Sequence, residues 1–274
     1  MKKLLFIIII LNSICADTIN PYTYKITYDK DSTKDSETGY GVYGNYILNS
    51  FFIDYGLSTL KRDYKKNNKI TQNDITLVYN QYLGKDILSR VGIHYINSDD
   101  KNIDKGKIFI LGVKQFDNKN YNIGIDFYYS SYSNLSDLTI MQFSPFAGFY
   151  FKTDYVSGDF YFKSVYNIIA PQKTDLGISK NRYFNFSLSN IYGNTTSTLS
   201  VNAFGTEQFS INNGGLFATT QKESYKNTLG LSLEYKISNS FSVKAKAKIF
   251  DFRDEDNNNQ AIKKLYSLSL NISF

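Results

Sequence analysis

The chain has 274 residues, with 31 Lys and Arg against 25 Asp and Glu, a formal charge of +6. That mild excess implies no nucleic-acid partner, and 24 Tyr and 21 Phe beside only 3 Pro favour strands. After Leu11 no apolar run reaches the roughly eighteen residues of a spanning helix, so any passage through a bilayer falls to strands.

Met1-Lys2-Lys3 followed by the apolar residues 4–11 reads as a secretory signal, with the cut expected after Ala16 and a mature chain of 17–274. Losing Lys2 and Lys3 lowers the formal charge from +6 to +4, and losing Cys15 leaves no cysteine for a disulfide. Lipidation at Cys15 is disfavoured because bulky Ile14 precedes it.

Period-two alternation bounded by Gly, Asn, Asp and Ser predicts fourteen strands near 20–28, 40–48, 50–60, 72–82, 86–97, 106–117, 120–131, 138–151, 154–168, 181–192, 196–208, 225–238, 240–250 and 262–274. Twelve is the alternative count, because Asn49 makes a very tight turn and residues 108–111 are apolar on both faces. Long polar connections (29–39, 61–71, 98–105, 171–180, 209–224 and 251–261) alternate with tight turns at 49, 84–85, 117–120, 152–153, 192–195 and 238–240. An antiparallel up-and-down barrel with both termini on one side predicts that rhythm, and a Greek-key sandwich does not. Pro145 cannot donate a ladder hydrogen bond and predicts a bulge or kink. With Trp absent, Tyr and Phe are left to build the interfacial girdles.

The chain closes on Tyr266, Leu268, Leu270, Ile272 and Phe274 with Ser267, Ser269, Asn271 and Ser273 between them. This end resembles the closing strand of Gram-negative outer-membrane β-barrels, and the whole pattern resembles monomeric porins of about fourteen strands. The resemblance implies an all-β transmembrane barrel in the cell outer membrane with periplasmic termini and surface loops. It also implies contact with lipid and lipopolysaccharide, and reading of those terminal residues by the barrel assembly machinery. The function it implies is passive diffusion of small hydrophilic solutes or ions. The alternative is a non-conducting surface barrel for adhesion or envelope structure.

Alternation also divides the faces. If Val243, Ala245, Ala247 and Ile249 meet lipid, Lys244, Lys246 and Lys248 face the lumen, with Glu234 opposite Lys244 across a short turn. The same parity places Asp54, Asp126, Asp159, Lys163, Arg90 and His94 inside, and suggests an acidic wall on strands three, seven and nine facing the lysines.

No cofactor is implied, and no enzyme. His94 is the sole histidine, yet Ile96 stands where an outer-membrane phospholipase needs Ser, and Gly92 where an Asp-x-His protease needs Asp. Asp29-Lys30-Asp31 and Asp254-Glu255-Asp256 lack the glycine of a calcium loop, so no metal site is assigned, although either could hold ions that bridge lipopolysaccharide phosphates.

Overall fold

Alternating side chains, with β-branched and aromatic residues on the apolar face, give strand after strand in a computed structural model. It describes residues 17–66, 68–117, 120–135, 137–172, 180–215, 217–218, 223–254 and 256–274. The predicted signal and Cys15 lie outside the described residues. The strands are β1 (Thr18–Tyr28), β2 (Lys34–Leu48), β3 (Phe51–Tyr64), β4 (Lys69–Leu83), β5 (Ile87–Ser98), β6 (Lys107–Asp117), β7 (Tyr121–Tyr132) and β8 (Leu138–Phe151). They continue as β9 (Asp159–Pro171), β10 (Asn181–Tyr192), β11 (Thr195–Ala203), two short pieces β12 (Ile211–Asn212) and β13 (Phe217–Ala218), then β14 (Ser224–Ser238), β15 (Phe241–Arg253) and β16 (Gln260–Ser273).

All but β12 and β13 join one closed antiparallel barrel of fourteen strands, each paired with its sequence neighbour, with β1 closing on β16 from Thr18↔Ser273 to Tyr28↔Lys263. Closure leaves no strand edge, which is what lets a sheet pair every backbone group in a medium without water. No helix among the described residues is long and apolar enough to cross a membrane. Leu111, Leu231 and Leu268 point outward and are 50%, 61% and 48% exposed, part of an apolar outer band.

The connections at the end bearing the termini are short, as at 49–50, 193–194 and 239–240. Positive backbone angles at Asn49 (φ 49°), Gly84 (φ 80°) and Gly193 (φ 56°) allow such reversals. Three sequence expectations are corrected. Strands rise further at the opposite end than predicted, so 34–39, 61–64 and 69–71 are ladder rather than loop, because cross-strand partners satisfy their polar backbone. The 152–153 turn is a longer link, 152–158, and β9 begins at Asp159. Pro145 makes no bulge: the β8–β9 register runs unshifted from Phe143↔Ile168 to Phe146↔Val165, and the ladder simply lacks pairs at Ser144 and Pro145.

Phe151 on Phe160, Phe162 on Phe186 and Tyr166 on Phe184 stack with centroids 5.3, 6.2 and 4.5 Å apart, and Phe149 tilts against Phe162 at 5.4 Å. They form an outward stripe up β8–β10, because rings at facing positions of three adjacent strands gain more from one another than from isolation.

Candidate functional site

Residues directly opposite in an antiparallel ladder share a face, so the register assigns every strand's inner set. On β15 Lys244, Lys246 and Lys248 oppose Glu234, Ser232 and Gly230 of β14 and Ser269, Ser267 and Leu265 of β16. Elsewhere on the inner face Asn80 pairs with Arg90, Arg90 with Gly112, Gly112 with Asp126, Asp54 with Val78, and Lys163 with Ser187.

The long connection after β11 enters this interior. Ile211 gives its N–H to Gln142 Oε1 at 2.8 Å and takes Gln142 Nε2 on its carbonyl at 2.9 Å. Arg90 Nη2 donates to the Gly214 carbonyl at 2.8 Å. Gly214 and Gly215 have φ of 66° and 96°, and a Cβ on them would meet the Arg90 guanidinium at 2.3 Å and Ile110 Cδ1 at 2.1 Å, so only glycine fits this approach. Phe209 and Ile211 are buried in one cluster with Val78, Ile96, Ile108, Ile110, Tyr128, Tyr132, Leu138, Ile140, Ile169 and Tyr183. This is why β6 is apolar on both faces: Phe109 and Leu111 point out, while Ile108 and Ile110 lie beneath the inserted segment.

The other half of the far end holds buried charge pairs. Lys34 pairs with Glu223, with side chains 5% and 3% exposed, and Arg62 Nε reaches Glu37 Oε2 at 2.8 Å, with side chains 6% and 8% exposed. Glu37 Oε1 accepts from the Tyr24 hydroxyl, Glu223 Oε2 from the Tyr225 hydroxyl, and Tyr225 Oη from Lys263 Nζ. Asp254 joins two rim connections, accepting from Ser32 Oγ and the Thr33 N–H, both at 2.8 Å. Burial raises its carboxyl pKa, but the Thr33 N–H, the Lys34 charge and the Ser32 and Thr33 hydroxyls outweigh that and leave it below the ordinary carboxylate value.

Nearer the termini the inner face keeps contact with solvent. Lys244 and Glu234 pair at 3.4 Å with side chains 41% and 30% exposed, and Arg90 lies 3.7 Å from Asp126 with side chains 21% and 18% exposed. Asp54 accepts from Asn80 Nδ2 at 2.9 Å, and the Lys163 ammonium sits 4.7 Å over the Phe146 ring. Lys246 and Lys248 have no ion pair among the described residues. Asp159 stands at the rim, paired with Lys152 at 3.2 Å.

Strand order places β6 diametrically across from β15, with β5 and β7 beside it and β3 and β9 only four strands away. The region facing the lysines therefore carries Arg90, Lys114 and Asp126 rather than a row of acids. Lys114 was legible by parity with Leu111 and Val113. The buried ions Lys34, Glu37, Arg62 and Lys263 were not, because they fall in or beside stretches that read as polar loops.

His94 is fully buried, with Nδ1 2.8 Å from Thr76 Oγ1 and Nε2 3.9 Å from Asp74 Oδ1. Hydroxyl, imidazole and carboxylate stand in the order of a nucleophilic relay, but nothing can approach a group sealed beneath Gly215, so the trio braces the interior. The terminal residues Tyr266, Leu268, Leu270 and Ile272 share the outward face, and the Phe274 N–H bonds the Asp17 carbonyl at 3.1 Å. No cluster of metal-ligating side chains occurs among the described residues.

No protein-family model matches the chain, and no curated protein matches its sequence. Among solved structures it is similar to the CymD monoaromatic hydrocarbon channel, with a TM-score of 0.59 at 8% identity over 96% of this chain and 90% of that one. It is also similar to a bacterial polysaccharide outer membrane secretin (TM-score 0.55, 10% identity, 94% and 99% covered) and to Omp33 of Acinetobacter baumannii (TM-score 0.50, 9% identity, 95% and 99% covered). At these identities the likeness is one of fold: a closed antiparallel β-barrel like those of the outer-membrane proteins it matches.

Proposed function

We propose that this barrel lies in the outer membrane of a Gram-negative cell and acts as a porin-like channel for small hydrophilic solutes or ions moving by diffusion. The observation that carries the reading is the inner face near the termini, where Lys244, Glu234, Arg90 and Asp126 stay partly solvated. Fourteen strands fall between the roughly eight that fill with side chains and the 16–18 that leave an open channel, so an inserted segment suffices to set the bore. In this reading residues 1–16 direct export, and Tyr266 to Phe274 engage the assembly machinery. Single-channel recording of refolded protein in planar bilayers tests it. Small steps are expected from the wild type and larger steps after deletion of 208–218. A folded, heat-modifiable barrel silent in both forms sinks the channel.

The second reading is a non-conducting barrel for adhesion or envelope structure, touching lipopolysaccharide or a partner through its far rim. The buried Lys34–Glu223 and Arg62–Glu37 pairs at the far end favour it. Envelope integrity and surface attachment unchanged on deletion of the gene would remove it. Catalysis has no support in the arrangement around His94, and hydrolysis of a lipid or peptide probe that is lost in His94→Ala would reverse that assessment.

A further inference from the structure

Two neighbouring rows of the ladder form a trough on the solvated side of the interior. One row runs Lys163↔Ser187, Ser187↔Ser200, Ser200↔Gly230 and Gly230↔Lys248. The next runs Tyr161↔Ser189, Ser189↔Thr198, Thr198↔Ser232 and Ser232↔Lys246, ending on Ser267. The trough has ammonium groups at both ends, a floor of short hydroxyl side chains with a glycine in it, and no carboxylate in either row. Its cations and hydroxyls all remain partly accessible. The Ser189 and Thr198 hydroxyls bond each other at 2.8 Å, which leaves one O–H of the pair free to donate to a ligand oxygen.

Each carboxylate around the trough has a nearer partner, although Asp126 also attracts Lys163 and Glu207 attracts Lys248. Glu234 accepts from Ser242 Oγ at 2.8 Å and pairs with Lys244. Asp126 is occupied by Arg90, and Glu207 by Asn202 Nδ2 at 2.6 Å, Asn212 Nδ2 at 3.2 Å and the Ser210 hydroxyl. Lys163, Lys246 and Lys248 thus face one solvated hollow without an ion pair among the described residues. Lys246 and Lys248, two positions apart on the inner face of β15, repel one another until an anion enters, and the hydroxyls donate to its oxygens.

We infer that this trough binds a small polyvalent anion bearing phosphate or carboxylate groups, which names the solute class of the proposed channel and rests on that reading only in requiring a solvated lumen. The test is calorimetric titration of the full refolded barrel, in uncharged detergent at low salt, with inorganic phosphate in one arm and citrate in the other. Fold is verified by heat-modifiability. Saturable binding is expected that weakens at least tenfold in Lys246→Ser/Lys248→Ser and in Lys163→Ser but not in the outward-facing Lys25→Ser. The arm with the tighter binding tells phosphate from carboxylate. No saturable binding in either arm, or equal affinity in wild type and both inner variants, overturns the inference. Because titration needs no current, a silent barrel that binds the anion refutes the channel and keeps the site, whereas a conducting barrel that does not bind it does the reverse.

Discussion

Glu223→Gln removes one charge from a pair that stitches the end of the inserted connection to β2. Glutamine keeps an oxygen to accept from the Tyr225 hydroxyl, which lies 2.5 Å from Glu223 Oε2, so the loss concentrates on Lys34. With the Lys34 side chain 5% exposed, water cannot replace the carboxylate, and the Tyr64 ring, 5.5 Å from the ammonium, together with the more distant Asp254 charge, compensates only in part. Breaking one side of such a pair costs about 3–5 kcal/mol, whereas removing both charges is close to neutral. With a urea slope of ~3 kcal/mol per molar, the Glu223→Gln midpoint falls by about 1–1.7 M. Lys34→Met/Glu223→Gln should recover most of that. The assay is urea unfolding in lipid vesicles, followed by heat-modifiability on gels. A single-variant midpoint within about 0.2 M of wild type, or a double variant no better than the single, would refute the reasoning that the cost is an orphaned buried charge.

Other outcomes follow from the same geometry. Gly215→Val is expected to expel the inserted segment, because its φ of 96° and the 2.1 Å approach to Ile110 leave no room for a side chain, and limited proteolysis should then cut within 204–223. Leu199→Arg should cost about 2–4 kcal/mol of folding free energy in vesicles and its neighbour Ser200→Arg less than about 1 kcal/mol, since only the first faces lipid. Equal losses would overturn the assignment of faces. The depressed pKa of Asp254 means that its stabilisation is fully present above the ordinary carboxylate value of 3.8 and is lost as pH falls through the folded value. Asp254→Asn should therefore be less stable than wild type at about pH 7, with the gap narrowing towards about pH 3. Truncation of Phe274 should lower the yield of assembled barrel in cells without changing the stability of protein refolded in detergent by more than about 0.5 kcal/mol.

Much of the barrel was legible because alternation is local. Leu229, Leu231 and Leu233 against Gly230, Ser232 and Glu234 fix both the existence of β14 and its two faces, and the same parity placed Lys244, Lys246 and Lys248 with Glu234 before any fold was known. The polar stretches were harder. Residues 34–39 and 61–64 look like loop because Lys34, Glu37 and Arg62 are charged, yet they are ladder, since Glu37 and Arg62 pair directly between neighbouring strands and Lys34 meets Glu223.

The sequence by itself determined a closed sheet of alternating strands with short links at one end, because the period of two and the turn residues act over a few positions. It did not determine what occupies the interior. The seating of Gly214-Gly215 against Arg90 and Ile110, the buried pair between Lys34 and Glu223, and the ring order that sets Arg90 and Lys114 across from the lysine strand all join residues far apart in the chain. Only closure of the barrel brings them together, so the tertiary structure decided which inward side chains are packed shut and which still meet water.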